Sequence, residues 1–326
     1  MSLKITPYKP ADKVLWDSFI SQSRNGTFLF KRDYMEYHKD RFTDHSLLCF
    51  ENGVLIAVLP ANKEGQKLYS HRGLTYGGFV VSNIMKLPKF LELFIAFIEY
   101  CNNVGFKHIY YKTIPHIYTK YPTEEDLYAL FMVGAKLISR SMLTVVKPQA
   151  PIEWQAQRKR AAAKARKHGI RVEKTDDFGS YWHILEQVLR SKFESNPVHS
   201  LAEISRLQNF FPENIKLFAA YQNDIMLSGV LVYESEQAAR AQYIAANEQG
   251  KASGALDLIF QYLLQDVYNN KPYFEFGTSE LKNTQNYLNM GLVNQKEGFG
   301  ARSVAQDTYL IELDQVQIDI VNDMLS

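Results

Sequence analysis

The stretch FEFGTSELKNTQNYLNMGLVNQKEGFGAR, residues 274–302, contains the pattern from which the fold of this chain is predicted. It begins in an apolar run, 273–276, that is typical of a strand, and successive side chains of a strand point to opposite faces. Glu275 is therefore predicted to face away from Phe274 and Phe276, either as a base in a cleft or paired with a nearby Lys or Arg. The stretch ends in KEGFG, where Lys296 lies beside a glycine-rich turn, a setting that is usual for a solvated surface lysine.

The segments around this stretch give the second half of the chain a simple order of elements. The turn Asn223-Asp224 separates two strand-like runs, and a long helix precedes the strand at 273–276. A short helix ended by Gly291 and a final strand follow it. The predicted elements are strands 216–221, 226–233, 239–244, 273–276 and 307–313 and helices 255–269 and 283–290.

The first half of the chain repeats this order. Asn52-Gly53, the strongest short hairpin signal, separates two apolar strand-like runs. Pro88 and Gly105 are placed to start and to stop a long helix. The predicted elements are strands 46–50, 54–60, 67–70, 75–81, 108–112 and 136–146 and helices 88–103 and 124–133.

Two copies of one element order predict an internal duplication with a domain-sized period. With 326 residues the chain is long for one hydrophobic core and suits two domains. We therefore predict an α/β (α+β) protein with two tandem domains, each a mixed, mostly antiparallel sheet flanked by helices. The expected divisions are residues 1–150, a basic connecting helix at 151–175, and residues 176–326.

The connecting segment 153–169 is rich in Ala, Arg, Lys and Gln, which are good helix formers, and Gly169 is a natural end. Two interpretations stay open for its cations, a solvated connector or a grip on the phosphates of a substrate or of tRNA. Because no DNA-recognition motif accompanies them, DNA is not expected as a partner. The cations are Arg158, Lys159, Arg160, Lys164, Arg166 and Lys167, with Arg171 and Lys174 beyond them.

The net charge, the positions of the cysteines and the length of the apolar runs argue against several classes of protein. The formal charge of +2 is nearly neutral, so any anion-binding site must be local. Cys49 and Cys101 lie in apolar runs and are expected as buried free thiols, and no Cys/His spacing suits a metal site. The apolar run 90–101 is too short and too charged to span a bilayer, and the N-terminus has no signal-peptide pattern. We therefore expect a cytoplasmic protein without a metal or a tightly bound cofactor.

The segment AANEQGKASG, residues 245–254, lies between a predicted strand and a long helix. Small residues let a backbone approach an anion, and a helix N-terminus offers free N–H groups, although an ordinary surface turn is the alternative. The spacing of Gln249, Ala252 and Gly254 resembles the pyrophosphate loop of GNAT acyltransferases, with Ala252 in place of the first glycine. The predicted co-substrate residues are Gln249, Gly250, Lys251, Ala252, Ser253 and Gly254.

The segment YLNMGL, residues 287–292, resembles the GNAT segment whose tyrosine protonates the leaving thiolate. Acyl transfer needs a group that returns a proton to the leaving atom, and a protonated phenol can do this. The corresponding residue of the first half is Leu130, which has no such proton. Tyr287 is therefore predicted as a catalytic acid, with packing on the sheet as the alternative.

The whole stretch 274–302 resembles the C-terminal signature of the Fem-type branch of the GNAT superfamily, which includes the peptidoglycan-bridge aminoacyltransferases. The resemblance implies that Lys296 lies near the transferred acyl group, where a preorganised cation would stabilise the oxyanion of the tetrahedral intermediate. In the first half, YSHRGLTYGG at 69–78 resembles the family's Tyr-x-x-Arg-Gly-Pro segment, and TFLF at 27–30 resembles its aromatic acceptor segment. The implied substrate-binding residues are Phe28, Phe30, Tyr34, Tyr69, Arg72, Tyr76, Gly77 and Tyr243.

The resemblance covers about residues 20–313 and implies acyl transfer to an amine or a hydroxyl. The expected function is an acyltransferase that moves an acyl group from an acyl thioester of the acyl-CoA type to a cell-envelope sugar or precursor. Its expected catalytic residues are Lys296, Tyr287 and Glu275. One alternative is an aminoacyl-tRNA-dependent peptidoglycan-bridge aminoacyltransferase that holds tRNA on residues 158–174. A second alternative is a non-catalytic ligand-binding protein of the same fold.

Overall fold

The computed structural model describes residues 3–193, 195–280 and 288–316. The chain divides into two compact units, one made of residues 1–141 with 305–326 and the other of residues 142–304. They are called unit 1 and unit 2 below. The chain leaves unit 1 inside one long strand, Lys136–Val146, and returns to it inside another, Arg302–Glu312.

The elements follow one another along the chain as the periodicity of the sequence largely predicts. The first half contains β1 (Leu3–Pro7), α1 (Lys13–Gln22), α2 (Arg32–Met35), β2 (Thr43–Asp44), β3 (Leu47–Glu51), β4 (Val54–Leu59), β5 (Asn62–Glu64), β6 (Lys67–Tyr69), β7 (Val80–Val81), α3 (Leu87–Val104), β8 (His108–Lys112), α4 (Glu125–Met132) and β9 (Lys136–Val146). The second half contains α5 (Ala156–Lys167), β10 (Arg171–Thr175), α6 (Phe178–Phe193), α7 (Leu201–Phe210), β11 (Ile215–Gln222), β12 (Ile225–Glu234), β13 (Ala238–Ala246), α8 (Glu248–Ser253), α9 (Ala255–Tyr262), β14 (Tyr273–Thr278), α10 (Met290–Glu297) and β15 (Arg302–Glu312).

Helix α3 lies at the centre of the unit 1 core. Pro88 occupies its first turn, where a missing N–H is harmless, and Gly105 ends it with a φ of +91° that favours glycine. The helix buries Phe90, Phe94 and Phe97 in the cluster that it forms with the neighbouring strands. The hairpin predicted at Asn52-Gly53 is confirmed, because β3 and β4 pair around these two residues, both of which have a positive φ.

Unit 2 contains a mixed sheet with the strand order β10-β11-β12-β13-β14-β9. Strands β13 and β14 are parallel and pair only from Ala238↔Tyr273 to Arg240↔Glu275. Beyond these pairs β13 continues along β12 as far as Ala246, whereas β14 continues along β9. The two parallel strands therefore separate, and a gap opens between them.

The predicted α/β class, with mixed and mostly antiparallel sheets flanked by helices, is confirmed. The bounds of the units nevertheless differ from the division expected at 1–150, 151–175 and 176–326. Strand β9 pairs with β14 through Leu143 and Val145, so its C-terminal end belongs to unit 2. Strand β15 pairs with β8 from Thr308 to Glu312, so the end of the chain belongs to unit 1. Strand pairing, which joins residues far apart in sequence, sets these bounds.

One predicted strand differs from the structure, and one predicted helix lies mostly outside the described residues. The strand predicted at 75–81 is reduced to β7, because Gly78 has a φ of +96° and interrupts the extended chain. The short helix predicted at 283–290 lies mostly outside the described residues; within them, α10 begins at Met290 and includes Gly291, which was expected to end a helix. Its start is fixed by Asn289, whose side chain accepts a hydrogen bond from the Leu292 N–H.

Several expectations about smaller features can be compared directly with the structure. The basic segment forms α5, and Gly169 follows it with a φ of +71°. Cys49 and Cys101 are buried free thiols, as predicted, and burial raises the pKa of both. None of the helices within the described ranges is long and apolar enough to cross a membrane.

Candidate functional site

A cavity of about 430 Å³ lies in unit 2 where β13 and β14 separate. This volume is typical of sites for small molecules. Apolar side chains from α6, α9 and β14 form much of its wall, including Leu185, Phe260 and Phe276. Charged side chains also reach it, and they come from β13, α8 and α10.

Lys296 is the buried cation of this cavity. Its side chain extends from α10, and the residue is only 8% exposed. The ammonium donates hydrogen bonds to the carbonyl oxygens of Gly277, at 3.2 Å, and Thr278, at 2.5 Å. Burial, together with the nearby Arg240 charge, lowers the pKa of Lys296 to about 8, and Glu275 acts in the opposite direction. The lysine is therefore charged at neutral pH although it is nearly removed from water.

Glu275 lies behind the cavity wall rather than in it. It is fully buried in β14 and forms an ion pair with Arg240, its neighbour across the parallel pair of strands. Arg240 lines the cavity and also donates from Nε to Gln242 Oε1 at 3.2 Å. The strand neighbour that faces the cavity is Phe276. The geometry thus favours the paired interpretation of Glu275, in which its charge is compensated by an arginine.

Tyr243 is the one predicted substrate-binding residue of unit 2, and it lines the same cavity. Its hydroxyl lies 2.7 Å from Nδ1 of His199, and its ring packs edge-on against Trp182 with a centroid distance of 5.5 Å. Burial, opposed by hydrogen bonds from the backbone at 198 and 199, raises the pKa of Tyr243 to about 12. The phenol therefore keeps its proton at neutral pH.

The predicted anion loop at 249–254 is a helix in the structure. Asn247 caps α8 by accepting from the Gly250 N–H at 2.8 Å, and the Lys251 N–H donates to the Asn247 carbonyl at 3.0 Å. Glu248, in the first turn, forms an ion pair with Lys251. Of the predicted residues at 249–254, Lys251 is the one that lines the cavity.

The corner between α8 and α9 is packed against α5. Gly254 forms this corner with a φ of +81°, and a Cβ atom there would lie 2.4 Å from the carbonyl oxygen of Ala161 in α5. Lys164 of the same helix donates to the Ala252 carbonyl at 2.9 Å. Glycine is required at 254 both by its conformation and by this close approach of two backbones.

The first turn of α9 contains a carboxylate side chain of the protein. Asp257 lies in that turn and forms an ion pair with Arg158 of α5 at 2.9 Å, and both side chains are largely buried. A helix N-terminus favours negative charge, and here the Asp257 carboxylate supplies it. The position at which a pyrophosphate was expected is therefore close to a carboxylate of the chain.

Most of the substrate-binding residues predicted in unit 1 are core residues. Phe28, Phe30, Tyr34 and Tyr76 are each less than 8% exposed. The Tyr76 hydroxyl donates to Thr27 Oγ1 at 3.0 Å, and the rings of Phe30 and Tyr76 pack edge-on. These aromatic side chains pack in the interior of the N-terminal part of unit 1.

Gly77 belongs to the same packed region of unit 1. A Cβ atom at residue 77 would lie 1.9 Å from the carbonyl oxygen of Ser70. The glycine therefore serves a close contact between two backbone segments.

Tyr69 and Arg72 line a smaller cavity of about 260 Å³ in unit 1, together with Tyr110 and Lys112. The rings of Tyr69 and Tyr110 stack with a centroid distance of 4.8 Å. The Arg72 guanidinium lies 4.7 Å from the centre of the Tyr69 ring and pairs with Glu64 at 2.7 Å. Two of the predicted acceptor residues are thus brought together, with aromatic and cationic neighbours that the sequence did not indicate.

Tyr287 lies outside the described residues, so its prediction as a catalytic acid stays a prediction. Within the ranges that the structure describes, no group of three or more His, Cys, Asp or Glu side chains is arranged to hold a metal ion.

The chain is similar to known proteins in its structure. No family model matches the sequence, and no curated protein matches it. Among solved structures, FemX has a TM-score of 0.66 at 12% identity and covers 98% of this chain and 99% of its own. The chain has a Fem-like fold.

Two further structures support the same fold. The C-terminal domain of a putative lysylphosphatidylglycerol synthetase from Agrobacterium fabrum has a TM-score of 0.61 at 11% identity, with 97% of this chain and 96% of that one covered. L-PGS from Bacillus licheniformis has a TM-score of 0.57 at 12% identity, with 98% of each chain covered. The Fem-type resemblance inferred from residues 274–302 is therefore confirmed at the level of the fold.

Sequence reasoning missed several residues of the unit 2 cavity and its surroundings. Arg240 is the one charged residue in the run AARAQYIAA, and a buried strand carboxylate at 275 required such a partner. His199 directly precedes Ser200, which caps α7 through a capping box with Glu203, so its position was recognisable. The apolar face of α6 was not predicted to reach the site, because nothing in the sequence relates it to β13.

Proposed function

We propose that this chain is a transferase that moves an acyl group from an activated ester or thioester to an amine or hydroxyl acceptor. The observation that carries the proposal is the buried Lys296 ammonium in the wall of the unit 2 cavity, held by the carbonyl oxygens of Gly277 and Thr278. During acyl transfer the attacked carbonyl oxygen becomes an oxyanion. A fixed cation in a site that excludes water stabilises such a charge far better than water does.

The reaction proposed is direct attack by the acceptor nitrogen or oxygen on the carbonyl carbon of the bound donor. A C–N or C–O bond forms, the C–S or C–O bond to the leaving group breaks, and the proton lost by the acceptor balances the proton gained by the leaving atom. The reaction depends on positioning and on stabilisation of the oxyanion, and it needs no covalent intermediate on the protein. Lys296 is the proposed oxyanion-stabilising residue, and Tyr287 is the proposed donor of the proton to the leaving atom. Glu275 is proposed to act through Arg240 as a positioning residue, because its carboxylate is fully buried and paired.

An acyl thioester of the acyl-CoA type is the first candidate donor, and the acceptor proposed is an amine or hydroxyl of a cell-envelope sugar or precursor. The thioester of a small acyl group would place that group in the cavity between β13 and β14. Lys251, which lines the cavity, would then be the nearest residue of α8 to the donor.

A second candidate donor is an aminoacyl ester of tRNA, and a specific observation favours it. Asp257 with Arg158, and the contact of Gly254 with α5, fill the corner at which a pyrophosphate was expected. An aminoacyl ester places no pyrophosphate there. On α5 and just beyond it, Arg160, Lys167 and Lys174 are exposed and available to phosphates of a nucleic-acid backbone. One structural neighbour is named as a putative synthetase of a lysylated lipid, which agrees with an aminoacyl donor.

The test compares the two donors in one assay. The purified protein is incubated with labelled acetyl-CoA or with tRNA charged with a labelled amino acid, and amino sugars or a UDP-linked muramyl pentapeptide serve as acceptors. We expect labelled acceptor from one donor, a strong loss of that product in Lys296→Met, and no loss in Lys4→Met, which changes an exposed lysine of β1. Binding of a donor without any product, in the wild-type protein, would instead support the non-catalytic alternative.

The role of α5 is tested separately through the dependence of binding on salt. If tRNA is the donor, its affinity falls steeply with salt concentration, and Arg160→Gln with Lys167→Gln makes this slope shallower by about one unit for each phosphate that the variant no longer neutralises. Binding that does not depend on salt would contradict the tRNA alternative and leave the thioester as the donor.

A further inference from the structure

We infer that the unit 2 cavity accepts a neutral or anionic, largely apolar acyl group and rejects an acyl group with a cationic side chain. This inference deepens the proposed acyl transfer from the first candidate donor, the acyl thioester, and rests on it for the identity of the occupant. It is carried by the apolar surface and by the signs of the charges in the cavity wall.

The apolar surface comes in large part from one face of α6. Leu185, Val188 and Leu189 line the cavity, and they share a face because residues three and four apart are neighbours on a helix. Phe260 of α9 and Phe276 of β14 add aromatic surface. An acyl chain placed here would exchange water for hydrocarbon contacts, which favours apolar groups.

The charges that reach the cavity are all positive. They belong to Arg240, Lys251 and Lys296, and in the described part of unit 2 no Asp or Glu lines the cavity wall. Two of these cations pair with carboxylates outside the wall, Arg240 with Glu275 and Lys251 with Glu248.

The third cation has a different kind of partner. Lys296 is held by the backbone oxygens of Gly277 and Thr278, which carry only partial charges, and the residue is only 8% exposed. The cavity therefore has an excess of positive charge.

A cationic side chain on the acyl group would meet this excess without a carboxylate to pair with. Burial of an unpaired charge is costly, and nearby like charges raise that cost further. A neutral group avoids this cost, and for a carboxylate the cations of the wall offset the loss of hydration. The volume of about 430 Å³ would admit a side chain of either sign, so the selection is made by charge and not by size.

The test uses three probes with the same carbon chain, none of which can react: hexanamide, hexanoate and 6-aminohexanamide. Binding to the wild-type protein at neutral pH is measured by saturation-transfer NMR. We expect hexanamide and hexanoate to bind and 6-aminohexanamide to bind at least about tenfold more weakly. Equal binding of all three probes, or no binding of hexanamide and hexanoate up to millimolar concentration, would overturn the inference.

A matched pair of variants places the probes in the cavity. Leu189 is half-buried in its wall, so it can be replaced by a polar residue of similar size. We expect Leu189→Glu to bind 6-aminohexanamide about tenfold more tightly than Leu189→Gln does, since the two differ only in the new carboxylate. The same affinity in both variants would show that the probes bind elsewhere, and the inference would fail.

The probe experiment also separates this inference from the proposed function. The probes report binding alone, so the order of their affinities stands or falls without any transfer reaction. Absence of labelled acceptor with every donor would contradict the proposed function while leaving that order intact.

Discussion

Lys296 Nζ lies 2.5 Å from the carbonyl oxygen of Thr278, and this contact depends on an irregularity in β14. The register of β14 against β9 shifts between Glu275 and Thr278, and Gly277 inside the shift has a φ of +75°. A bulge of this kind re-aims the backbone, and here the carbonyl oxygens of both Gly277 and Thr278 reach the lysine. The cation of the site is thus positioned by the shape of a strand.

The first prediction concerns the charge of Lys296. In Lys296→Met, we expect turnover with the active donor to fall by about 10²–10³-fold, the usual effect of removing a group that stabilises an oxyanion. Donor binding should change much less, because the charge acts mainly in the transition state. The measurement is kcat and KM by steady-state kinetics, with the thermal midpoint as a check of folding. Unchanged kcat would remove Lys296 from the mechanism.

The second prediction concerns pH. Burial and Arg240 lower the pKa of Lys296 to about 8 and Glu275 opposes them, so the lysine loses its positive charge as the pH rises through 8. If the charged form stabilises the oxyanion, kcat is highest below pH 8 and declines above it. In Lys296→Arg the guanidinium stays charged, and this decline should disappear from the pH–rate profile. If kcat still declines above pH 8 in Lys296→Arg, the decline is caused by the titration of another group.

The third prediction concerns the contact between α5 and the α8–α9 corner. Gly254→Ala places a methyl group 2.4 Å from the Ala161 carbonyl oxygen and forces a left-handed φ on alanine. We expect a loss of at least about 1–3 kcal/mol in the free energy of unfolding, as is usual for an overpacked site. The measurement is urea denaturation.

The matched control is Gly179→Ala, in α6. There the nearest atom to the added methyl group is Asp177 Oδ1 at 3.7 Å, which is an ordinary contact. We expect no loss of stability, since alanine is the better helix former. Equal effects of the two substitutions would contradict the close packing of α5 on Gly254.

The fourth prediction concerns two stacked histidines in unit 1. The rings of His38 and His71 lie 5.1 Å apart, and both side chains are buried. Burial, with Arg41 as a second cause, lowers the pKa of His38 to about 4, and burial with His38 as a second cause lowers that of His71 to about 3. Both are therefore neutral in the folded protein and gain protons readily only after unfolding.

The sign of the effect follows from this difference. Between the folded pKa and the usual value of about 6.5, the unfolded state binds more protons, so stability falls as the pH falls below 6.5. Each histidine contributes a slope of up to about 1.4 kcal/mol per pH unit in that window. We expect the difference in unfolding free energy between pH 7 and pH 5 to shrink in His71→Asn. Asparagine is chosen because residue 71 has a φ of +62°, which asparagine tolerates.

His183→Asn is the control for the fourth prediction, because His183 is exposed on α6. In this variant we expect the unfolding free energy to differ between pH 7 and pH 5 by the same amount as in the wild-type protein. A His71→Asn variant that behaves like the control would contradict the assignment of acid sensitivity to the stacked pair.

Much of the element order was predictable because local signals decided it. Asn52-Gly53 fixed a hairpin turn, and Pro88 with Gly105 fixed the ends of α3. Helices α1, α6 and α7 were not predicted, although the capping box of Ser200 with Glu203 marks the start of α7. Helix α10 begins at Met290, directly after its Asn289 cap, and continues through Gly291, which was expected to end a helix.

The candidate site was predictable only in part. Lys296 and Tyr243 were identified from the sequence, and both line the cavity of unit 2. The segment predicted as an anion loop, 249–254, lies in and just after the capped helix α8. The Asn247 side chain accepts the hydrogen bond of the Gly250 N–H, which an anion would have needed. The aromatic residues at 28, 30, 34 and 76 form core contacts instead of a surface, since aromatic side chains suit both settings.

The sequence by itself determined the class of the fold, the long helix of unit 1, the hairpins and the presence of a lysine in the segment 296–300. These features depend on periodicity, turn residues and caps, which act between neighbours in the chain. Only the tertiary structure decided that β13 and β14 separate, that Arg240 neutralises Glu275, and that the last strand belongs to unit 1. Such outcomes depend on which distant segments pair and on how burial changes the free-energy cost of a charge. Patterns among residues that are neighbours in the chain predict neither of these.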